Sequence, residues 1–247
     1  MNDTRHMLEI SGPDRVHFLQ GILTQDVEKL AADKIQFAAL LSPQGKILHD
    51  MFLIDAGESI LLDSAAELAP TLRKRLMMYK LRAKVEIGDR VWGIGYSETL
   101  FPDPRHPDLP SRDYSTTIGK PSIPHTLNPI PSLGHDFAPD TLTALDAGYD
   151  LLHAVSFTKG CYVGQEITAR MHYKSIARRG WFVLERDGMP PRLANLKFDE
   201  VFPENSPVTG HASPATISVD NFKWHAHVPE WMQPKLRQFE SSRQNQS

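Results

Sequence analysis

One segment of the chain, KGCYVGQE (Lys159–Glu166), combines the residue types needed for thiol chemistry. Cys161 is the only cysteine of the sequence, and Lys159 lies two residues before it. A nearby cation favours the thiolate, which is the form of cysteine that attacks electrophiles and binds metals. Gly160 and Gly164 lack side chains, so the backbone beside Cys161 can turn tightly or press against a ligand. We therefore predict that Cys161 and Lys159 form a reactive site on a surface turn.

The other polar residues of the segment each allow two interpretations. The amide of Gln165 beside the carboxylate of Glu166 suits a heterocycle with alternating donors and acceptors, such as a pterin or purine edge. Glu166 and Arg170 could instead form an i,i+4 ion pair at the start of a helix. Tyr162 could stack on a pterin ring or fill the core. The sequence leaves these alternatives open.

A lone cysteine in a globular protein is most often a small buried apolar group, but the polar surroundings of Cys161 favour a reactive thiol. One thiolate cannot hold an iron–sulfur cluster or a zinc ion by itself. His153 and His172 lie eight and eleven residues away, which is not a recognised metal-binding spacing. We expect no stably bound metal, and any cluster would be shared with a partner chain or carried transiently.

Composition excludes several classes of protein. A net charge of −3 gives no basic footprint for direct nucleic-acid binding. A single cysteine excludes a disulfide-stabilised secreted scaffold. The sequence contains no long apolar run that could cross a membrane and no signal-peptide pattern. We expect a monomer without membrane contacts in the cytoplasm, or in an organelle matrix if a presequence has been removed.

Hydrophobic periodicity predicts the order β-α-β-β-β-α-β for the first 96 residues, which is typical of an α+β fold. Turns are expected at residues 42–45 and 55–57, where proline, glycine and polar residues cluster. An amphipathic helix is predicted through Leu68, Leu72 and Leu76 because these residues recur every four positions. Eight prolines in residues 101–137 predict an irregular connection.

The segment KGCYVGQE closely resembles the signature of the YgfZ family of folate-binding proteins, Lys-Gly-Cys-Tyr/Phe-x-Gly-Gln-Glu. The flanking residues in SFTKGCYVGQEITARMHYKSIARR also resemble that family, as do LEISGPDRVHFLQGILTQDV, SPQGKILHDMFLI and MMYKLRAKVEI. The resemblance covers about residues 7–96 and 140–185. It implies a fold like that of the aminomethyltransferase (T-protein) of glycine cleavage, in which an α+β body surrounds a folate cavity and a small C-terminal β-barrel follows.

This resemblance predicts the domain organisation. Residues 1–180 would form the folate-binding, T-protein-like body, with two intertwined α+β lobes and the proline-rich connection near 101–137. Residues 181–233 would form a small C-terminal β domain, reduced because residues 186–229 are short and irregular for a barrel. Residues 234–247 are polar, and we expect them to fray.

The family resemblance also implies a function: an accessory factor that binds tetrahydrofolate or a derivative and matures or repairs iron–sulfur enzymes, including a tRNA-modifying one. Its partners would be folate and iron–sulfur client or assembly proteins. The candidate folate-binding residues are Asp50 and Arg82, which lie outside the motif, and Tyr162, Gln165 and Glu166, which lie within it.

A second hypothesis is a folate-dependent aminomethyl (one-carbon) transferase. T-proteins carry a related stretch without a cysteine at the position of Cys161, and they use an aspartate in the hairpin that corresponds to Gly45–Phe52. Asp50 lies there, and His49 replaces one of two adjacent acids usual in that hairpin. This hypothesis requires Asp50 to point into the folate cavity beside arginine and tyrosine side chains. His49 and Asp50 cannot easily act on one group, because neighbours on a strand point to opposite faces.

Overall fold

A five-stranded antiparallel sheet organises the first part of the chain. The computed structural model describes residues 5–90, 100–114, 129–174, 178–202, 215–219 and 222–244. The strands of this large sheet are β1 (Arg5–Ser11), β2 (Ile35–Leu41), β3 (Ile47–Asp55), β4 (Ser59–Ala65) and β5 (Glu86–Arg90), in the spatial order β2-β3-β4-β1-β5. Hairpins link β2 to β3 and β3 to β4, and they need glycine because Gly45 and Gly57 have φ angles of 74° and 75°.

The two faces of the large sheet bury different layers. On β3, Met51 and Leu53 point to a face packed with helices α1 (Arg15–Ile22) and α2 (Ala69–Lys80), which we call the helix-covered face. Phe52 and Ile54 point to the opposite, loop-covered face, which packs under the chain between residues 133 and 155. The alternation follows from the period of two in a β-strand.

The loop-covered face is closed by a turn-rich segment and by a smaller sheet. Residues 144–154 form successive turns whose apolar side chains are buried. The smaller antiparallel sheet contains β8 (Arg179–Arg186), β9 (Met189–Lys197), β10 (Ala215–Val219) and β11 (Phe222–His227) in the order β10-β11-β8-β9. Trp181 of β8 is fully buried, and its indole N–H donates to the Ala147 carbonyl at 3.0 Å. The remaining elements are β6 (Leu100–Phe101), β7 (Arg112–Asp113), α3 (Gln165–Lys174), α4 (Phe198–Val201) and α5 (Gln233–Gln244).

The predicted order β-α-β-β-β-α-β is confirmed by β1 through β5. The C-terminal part differs from the prediction. Strand β9 ends at Lys197, and the short helix α4 follows it directly. The tail expected to fray is helix α5 over Gln233–Gln244, because Leu236 is buried and the buried Lys235 ammonium pairs with Asp150 at 2.9 Å. Within the described residues, no helix is long and apolar enough to cross a membrane. Residues 115–128 of the proline-rich connection lie outside the described residues.

Candidate functional site

Cys161 lies on irregular chain just before α3, and its side chain is exposed. The prediction that the thiol is accessible to another molecule is confirmed. Gly160 beside it is also open, since a Cβ built there meets no atom within 4 Å. Among the described residues, none therefore requires a glycine at position 160 for space. The exposed thiol and the bare backbone next to it leave room for a second molecule to approach closely.

Lys159 is buried beneath this loop and points away from solvent. Its ammonium donates three hydrogen bonds, to the carbonyls of Gln20, Leu23 and Gln25 at 2.7, 2.7 and 2.8 Å. These three acceptors match the three N–H donors that only the protonated amine carries. Burial nevertheless lowers the pKa of Lys159 to about 8. These hydrogen bonds give Lys159 a positioning role under the loop, because all three of its N–H donors bind carbonyls of residues 20–25.

The chain just after α1 holds the other end of the same loop. The Thr24 hydroxyl donates to the Ala154 carbonyl at 2.6 Å and accepts from the Ala39 N–H at 2.8 Å. The Gln25 side chain donates to the His153 carbonyl at 2.6 Å. Residues 23–25 thus connect strand β2 to the segment that leads into the Cys161 loop. The only sequence signal for this role is the polar pair Thr24-Gln25 directly after an apolar helix.

Gly164 is a packing glycine. Its φ is 82°, and a Cβ there would lie 2.6 Å from the Ser42 carbonyl oxygen and 2.9 Å from the Leu41 side chain. Gly45 of the same hairpin has a positive φ, and its own missing Cβ faces Ile167 at 3.1 Å. The β2–β3 turn and the start of α3 therefore approach too closely for any side chain at Gly164. The close contact that the sequence predicted is with this hairpin.

The remaining residues of the motif separate into core and surface. Tyr162 is buried in the apolar layer of the loop-covered face, and burial raises its pKa to about 12. Its ring lies 5.1 Å from the Lys159 ammonium. Gln165 is half-buried at the first position of α3, and Glu166 and Arg170 are exposed. Among the described residues no ion pair joins Glu166 to Arg170, so the structure favours the core interpretation of Tyr162 and does not form the i,i+4 pair.

Asp50 lies on the loop-covered face of the large sheet, where the side chains that the transferase hypothesis places beside it can be identified. The Tyr149 hydroxyl donates to Asp50 Oδ2 at 2.5 Å, and the charges of Arg5 and Arg105 also act on this carboxyl. Burial raises the pKa of Asp50 despite these favourable partners. Burial and the neighbouring Asp50 likewise raise the pKa of Tyr149. The carboxyl thus stands beside arginine and tyrosine side chains.

A network of buried charges surrounds Asp50, and sequence reasoning missed it. Fully buried Asp63 accepts hydrogen bonds from Arg5 at 2.8 Å, Arg112 at 3.2 Å and the Tyr114 hydroxyl at 2.8 Å. Arg112 also donates a hydrogen bond to Asp103. Arg105 donates two more to the same carboxylate, through Nε and Nη2. The three guanidinium groups lie 3.7 to 5.7 Å from the centre of the Phe52 ring. We call this set the buried polar network; its members are Arg5, Asp63, Asp103, Arg105, Arg112 and Tyr114.

The five residues predicted to bind folate do not form one site. Asp50 lies on the loop-covered face, whereas Arg82 is exposed after α2, which packs on the helix-covered face. His49 is buried on the helix-covered side of β3, where burial and then Arg75 lower its pKa to about 4. Adjacent His49 and Asp50 thus belong to different layers, as expected for neighbours on a strand. Within the described residues no group of three His, Cys, Asp or Glu side chains could hold a metal ion.

Curated proteins share sequence with most of this chain. The chain is 29% identical over 246 residues to the protein named iron–sulfur cluster assembly factor IBA57 homolog, mitochondrial, of Mycosarcoma maydis, covering 82% of this chain and 61% of that protein. The homolog of the same name from Chaetomium globosum is 31% identical, with coverage of 71% and 53%. The chain is related in sequence to the IBA57 proteins. It spans less than two thirds of the length of these relatives.

A solved structure has a similar fold. The glycine cleavage system aminomethyltransferase T of Bartonella henselae superposes with a TM-score of 0.58 over 92% of this chain and 83% of that chain, at 12% sequence identity. This likeness confirms the predicted T-protein-like α+β fold. No family model matches the chain. The relationship to the IBA57 proteins and the T-protein-like fold together confirm the family resemblance proposed from the Lys159–Glu166 segment.

Proposed function

We propose that the protein is an accessory factor for the assembly or repair of iron–sulfur proteins, with Cys161 as its point of contact with the cluster or with a partner thiol. The single observation that carries this proposal is the exposed Cys161 thiol on a loop whose base is fixed by Lys159. The names of the IBA57 relatives, which describe iron–sulfur cluster assembly factors, support the same assignment.

The geometry favours a cluster handled between two proteins over one stored in this chain. Cys161 is the only cysteine, and one thiolate leaves the other iron ligands of a cluster to be supplied elsewhere. An exposed thiol beside an open Gly160 can approach a second protein. When the thiol binds iron, its proton passes to solvent or to a nearby base, and no electron transfer is required. The partner would be a client or assembly protein that supplies the remaining ligands.

Tetrahydrofolate, or a derivative, is proposed as the bound cofactor, and Asp50 is the residue that fits it best. Tyr149 occupies Asp50 Oδ2, while Oδ1 has no hydrogen-bond partner among the described residues. A carboxyl with a raised pKa can donate or accept a proton at a ring nitrogen. Arg5 and Arg105 already bind Asp63 and Asp103, so they orient the carboxyl electrostatically. When bound, the folate would supply a carrier for one-carbon groups.

The IBA57 relatives named above carry the word mitochondrial, and an organelle matrix is therefore the proposed compartment if the chain derives from such a cell. Cytoplasm remains the proposal for a bacterial source. A tRNA-modifying iron–sulfur enzyme is one proposed client. A monomer is the proposed state.

Complementation tests the assignment. In a strain that lacks its own relative of this protein, wild type should restore the activity of iron–sulfur enzymes, whereas Cys161→Ala should not. Cys161→Ala is the suitable change because the exposed side chain leaves no cavity. Met189→Ala, at another exposed apolar side chain, serves as the matched control. Equal rescue by wild type and Cys161→Ala would remove the thiol from the mechanism.

Folate binding has its own test. Tetrahydrofolate should raise the melting temperature of the wild-type protein by binding to the native state, and Asp50→Asn should reduce that rise. A melting temperature unchanged at saturating tetrahydrofolate would overturn the cofactor proposal and leave the thiol proposal standing.

The alternative function, a folate-dependent aminomethyl transferase, is favoured by the contact of Asp50 with Tyr149 beside arginine side chains. A glycine-cleavage assay with lipoylated carrier protein separates the two functions. Turnover that Asp50→Asn abolishes and Cys161→Ala preserves would establish the transferase. The accessory factor predicts no turnover in this assay.

A further inference from the structure

One side of helix α2 is apolar and faces solvent. Met77, Met78 and Leu81 are 52%, 63% and 88% exposed. Leu72 and Leu76 on the opposite side of the same helix are buried against the large sheet. The helix therefore has two apolar sides, and the fold uses only one of them. Large exposed apolar side chains that cluster on one surface indicate a binding surface.

Positive charge surrounds these apolar side chains. The sequence between Glu67 and Glu86 contains six lysines and arginines and no acidic residue, although the whole chain carries a net charge of −3. Lys74, Arg82 and Lys84 are exposed, and none forms an ion pair with a carboxylate among the described residues. Elsewhere in the chain, arginines such as Arg5, Arg90 and Arg112 are paired with carboxylates.

The backbone presents Leu81 outward at a conformational cost. Leu81 ends α2 with φ of 43° and ψ of −106°. A residue other than glycine is strained in this region and persists there only where the surrounding structure holds it. The following chain is held by hydrogen bonds from the Ala83 N–H to the Lys80 carbonyl and from the Lys84 N–H to the Asp14 carboxylate. Because Leu81 is 88% exposed, its side chain buries little area against the described residues to offset that strain.

We propose that this α2 exit surface, formed by Lys74, Met77, Met78, Leu81, Arg82 and Lys84, binds the surface of a membrane that contains anionic lipids. Lys74, Met77, Met78 and Leu81 follow the spacing i, i+3, i+4, i+7, so they lie along one helix face. The apolar tips enter the headgroup boundary and the cations contact lipid phosphates. The membrane is contacted and not crossed, and this proposal replaces the expectation from sequence of a protein without membrane contacts.

Two observations favour a lipid surface over a protein partner. Lysine is depleted in the centre of protein–protein interfaces, yet Lys74 and Lys84 flank the apolar tips. The surface also lies at the end of a helix, where Leu81 is the most exposed apolar side chain. A protruding apolar side chain can insert into the headgroup region of a bilayer. Anchoring by apolar insertion together with a basic cluster is the combination that gives stable membrane binding. This proposal uses no residue of the Cys161 loop or of the Asp50 region.

Co-sedimentation of the full chain with sucrose-loaded vesicles tests it. Phosphatidylcholine vesicles with about 30% phosphatidylglycerol should bind the protein, and pure phosphatidylcholine vesicles should not, because each cation near an anionic surface contributes about fivefold in affinity. Lys74→Gln combined with Arg82→Gln should weaken binding about 25-fold. Met78→Gln combined with Leu81→Asn should weaken it by about tenfold or more. Asparagine tolerates the positive φ of Leu81, so this change removes the apolar tip and keeps the backbone.

Matched changes elsewhere decide the outcome. Met189→Gln and Lys223→Gln remove an exposed apolar side chain and an exposed cation from the smaller sheet, and they should leave vesicle binding unchanged. Melting temperatures close to wild type exclude unfolding. The proposal is overturned if anionic vesicles at millimolar lipid do not bind the protein, or if the control variants lose binding equally. Self-association that Leu81→Asn abolishes, without vesicle binding, would assign the surface to a second copy of the chain and would also overturn it.

Discussion

The Cys161 loop and the buried polar network handle polar groups in opposite ways. In the network, carboxylates meet guanidinium groups inside the fold, and Asp63 alone accepts hydrogen bonds from three side chains. In the loop, the cation Lys159 is buried under the chain while the thiol faces outward. The network lies on the loop-covered face that also carries Asp50, whereas the loop exposes the Cys161 thiol to solvent. The polar groups that build the site are therefore hidden, and the group proposed to do chemistry is exposed.

Of the substitutions that test this comparison, we expect one at Asp63 to lower the free energy of unfolding most. Asp63→Asn removes the charge that Arg5, Arg112 and Tyr114 share, and an uncompensated buried charge costs about 3–5 kcal/mol. Chemical denaturation should show a loss of that size in the free energy of unfolding. Asp89→Asn is the matched control, because Asp89 is exposed where it pairs with Arg73 and should cost less than about 1 kcal/mol. Equal losses at the two sites would show that the network does not stabilise the fold.

The difference between the two regions also explains what sequence could predict. The Lys159–Glu166 segment is local, so its unusual residues could be recognised together, and the exposure of Cys161 is confirmed. The alternation of apolar residues likewise predicted β1 to β5 with their two helices. These features depend on neighbours along the chain.

The buried polar network could not be predicted because its members are far apart. Arg5 and Asp63 come from β1 and β4 of the large sheet, and Arg112 comes from β7 of a separate two-stranded sheet, so the three meet only in the folded chain. The sequence signals were weak. One was an aspartate, Asp63, within the buried strand SILLDSA. The others were two arginines, each two residues from a partner: Arg105 after Asp103, and Arg112 before Tyr114. The role of Lys159 was missed for the same reason, since its acceptors lie 134 to 139 residues away.

Lys159 provides the next test, because it is a buried charged residue that belongs to the Cys161 loop. Lys159→Met keeps the length of the side chain but leaves three carbonyls without their donor, which should cost about 3 kcal/mol. The free energy of unfolding should fall by that amount, and Cys161 should be alkylated at a different rate because its loop is no longer fixed. Lys34→Met, at an exposed lysine, is the control. An unchanged stability would show that the three hydrogen bonds contribute nothing net.

His49 gives a smaller and pH-dependent effect on the face opposite the network. Its folded-state pKa of about 4 lies below the ordinary value of 6.5, so the unfolded state binds a proton first as the pH falls. Stability associated with His49 is therefore complete above about pH 6.5 and is lost on acidification toward pH 4. Between pH 7 and pH 5 the loss should be about 2 kcal/mol.

Replacement of the imidazole isolates this contribution. His49→Gln should lose about 2 kcal/mol less than wild type between pH 7 and pH 5, as measured by urea denaturation at each pH. His6→Gln, which removes a histidine on the surface where it pairs with exposed Asp89, is the comparison variant and should not reproduce the change. Parallel pH profiles for wild type and His49→Gln would mean that His49 titrates normally in the folded protein.

Cys161 should show the smallest effect on stability and the largest on function. Its side chain is exposed, so Cys161→Ser removes no packed atoms and should change the free energy of unfolding by less than about 0.5 kcal/mol. Restoration of iron–sulfur enzymes in the complementation assay should nevertheless be lost, because a hydroxyl is a poor iron ligand compared with a thiolate. A destabilisation of several kcal/mol would instead show that the sulfur stabilises the fold, as Asp63 and Lys159 are expected to do. Full stability with full activity would leave the exposed thiol without a role and the contrast between the two regions without chemical meaning.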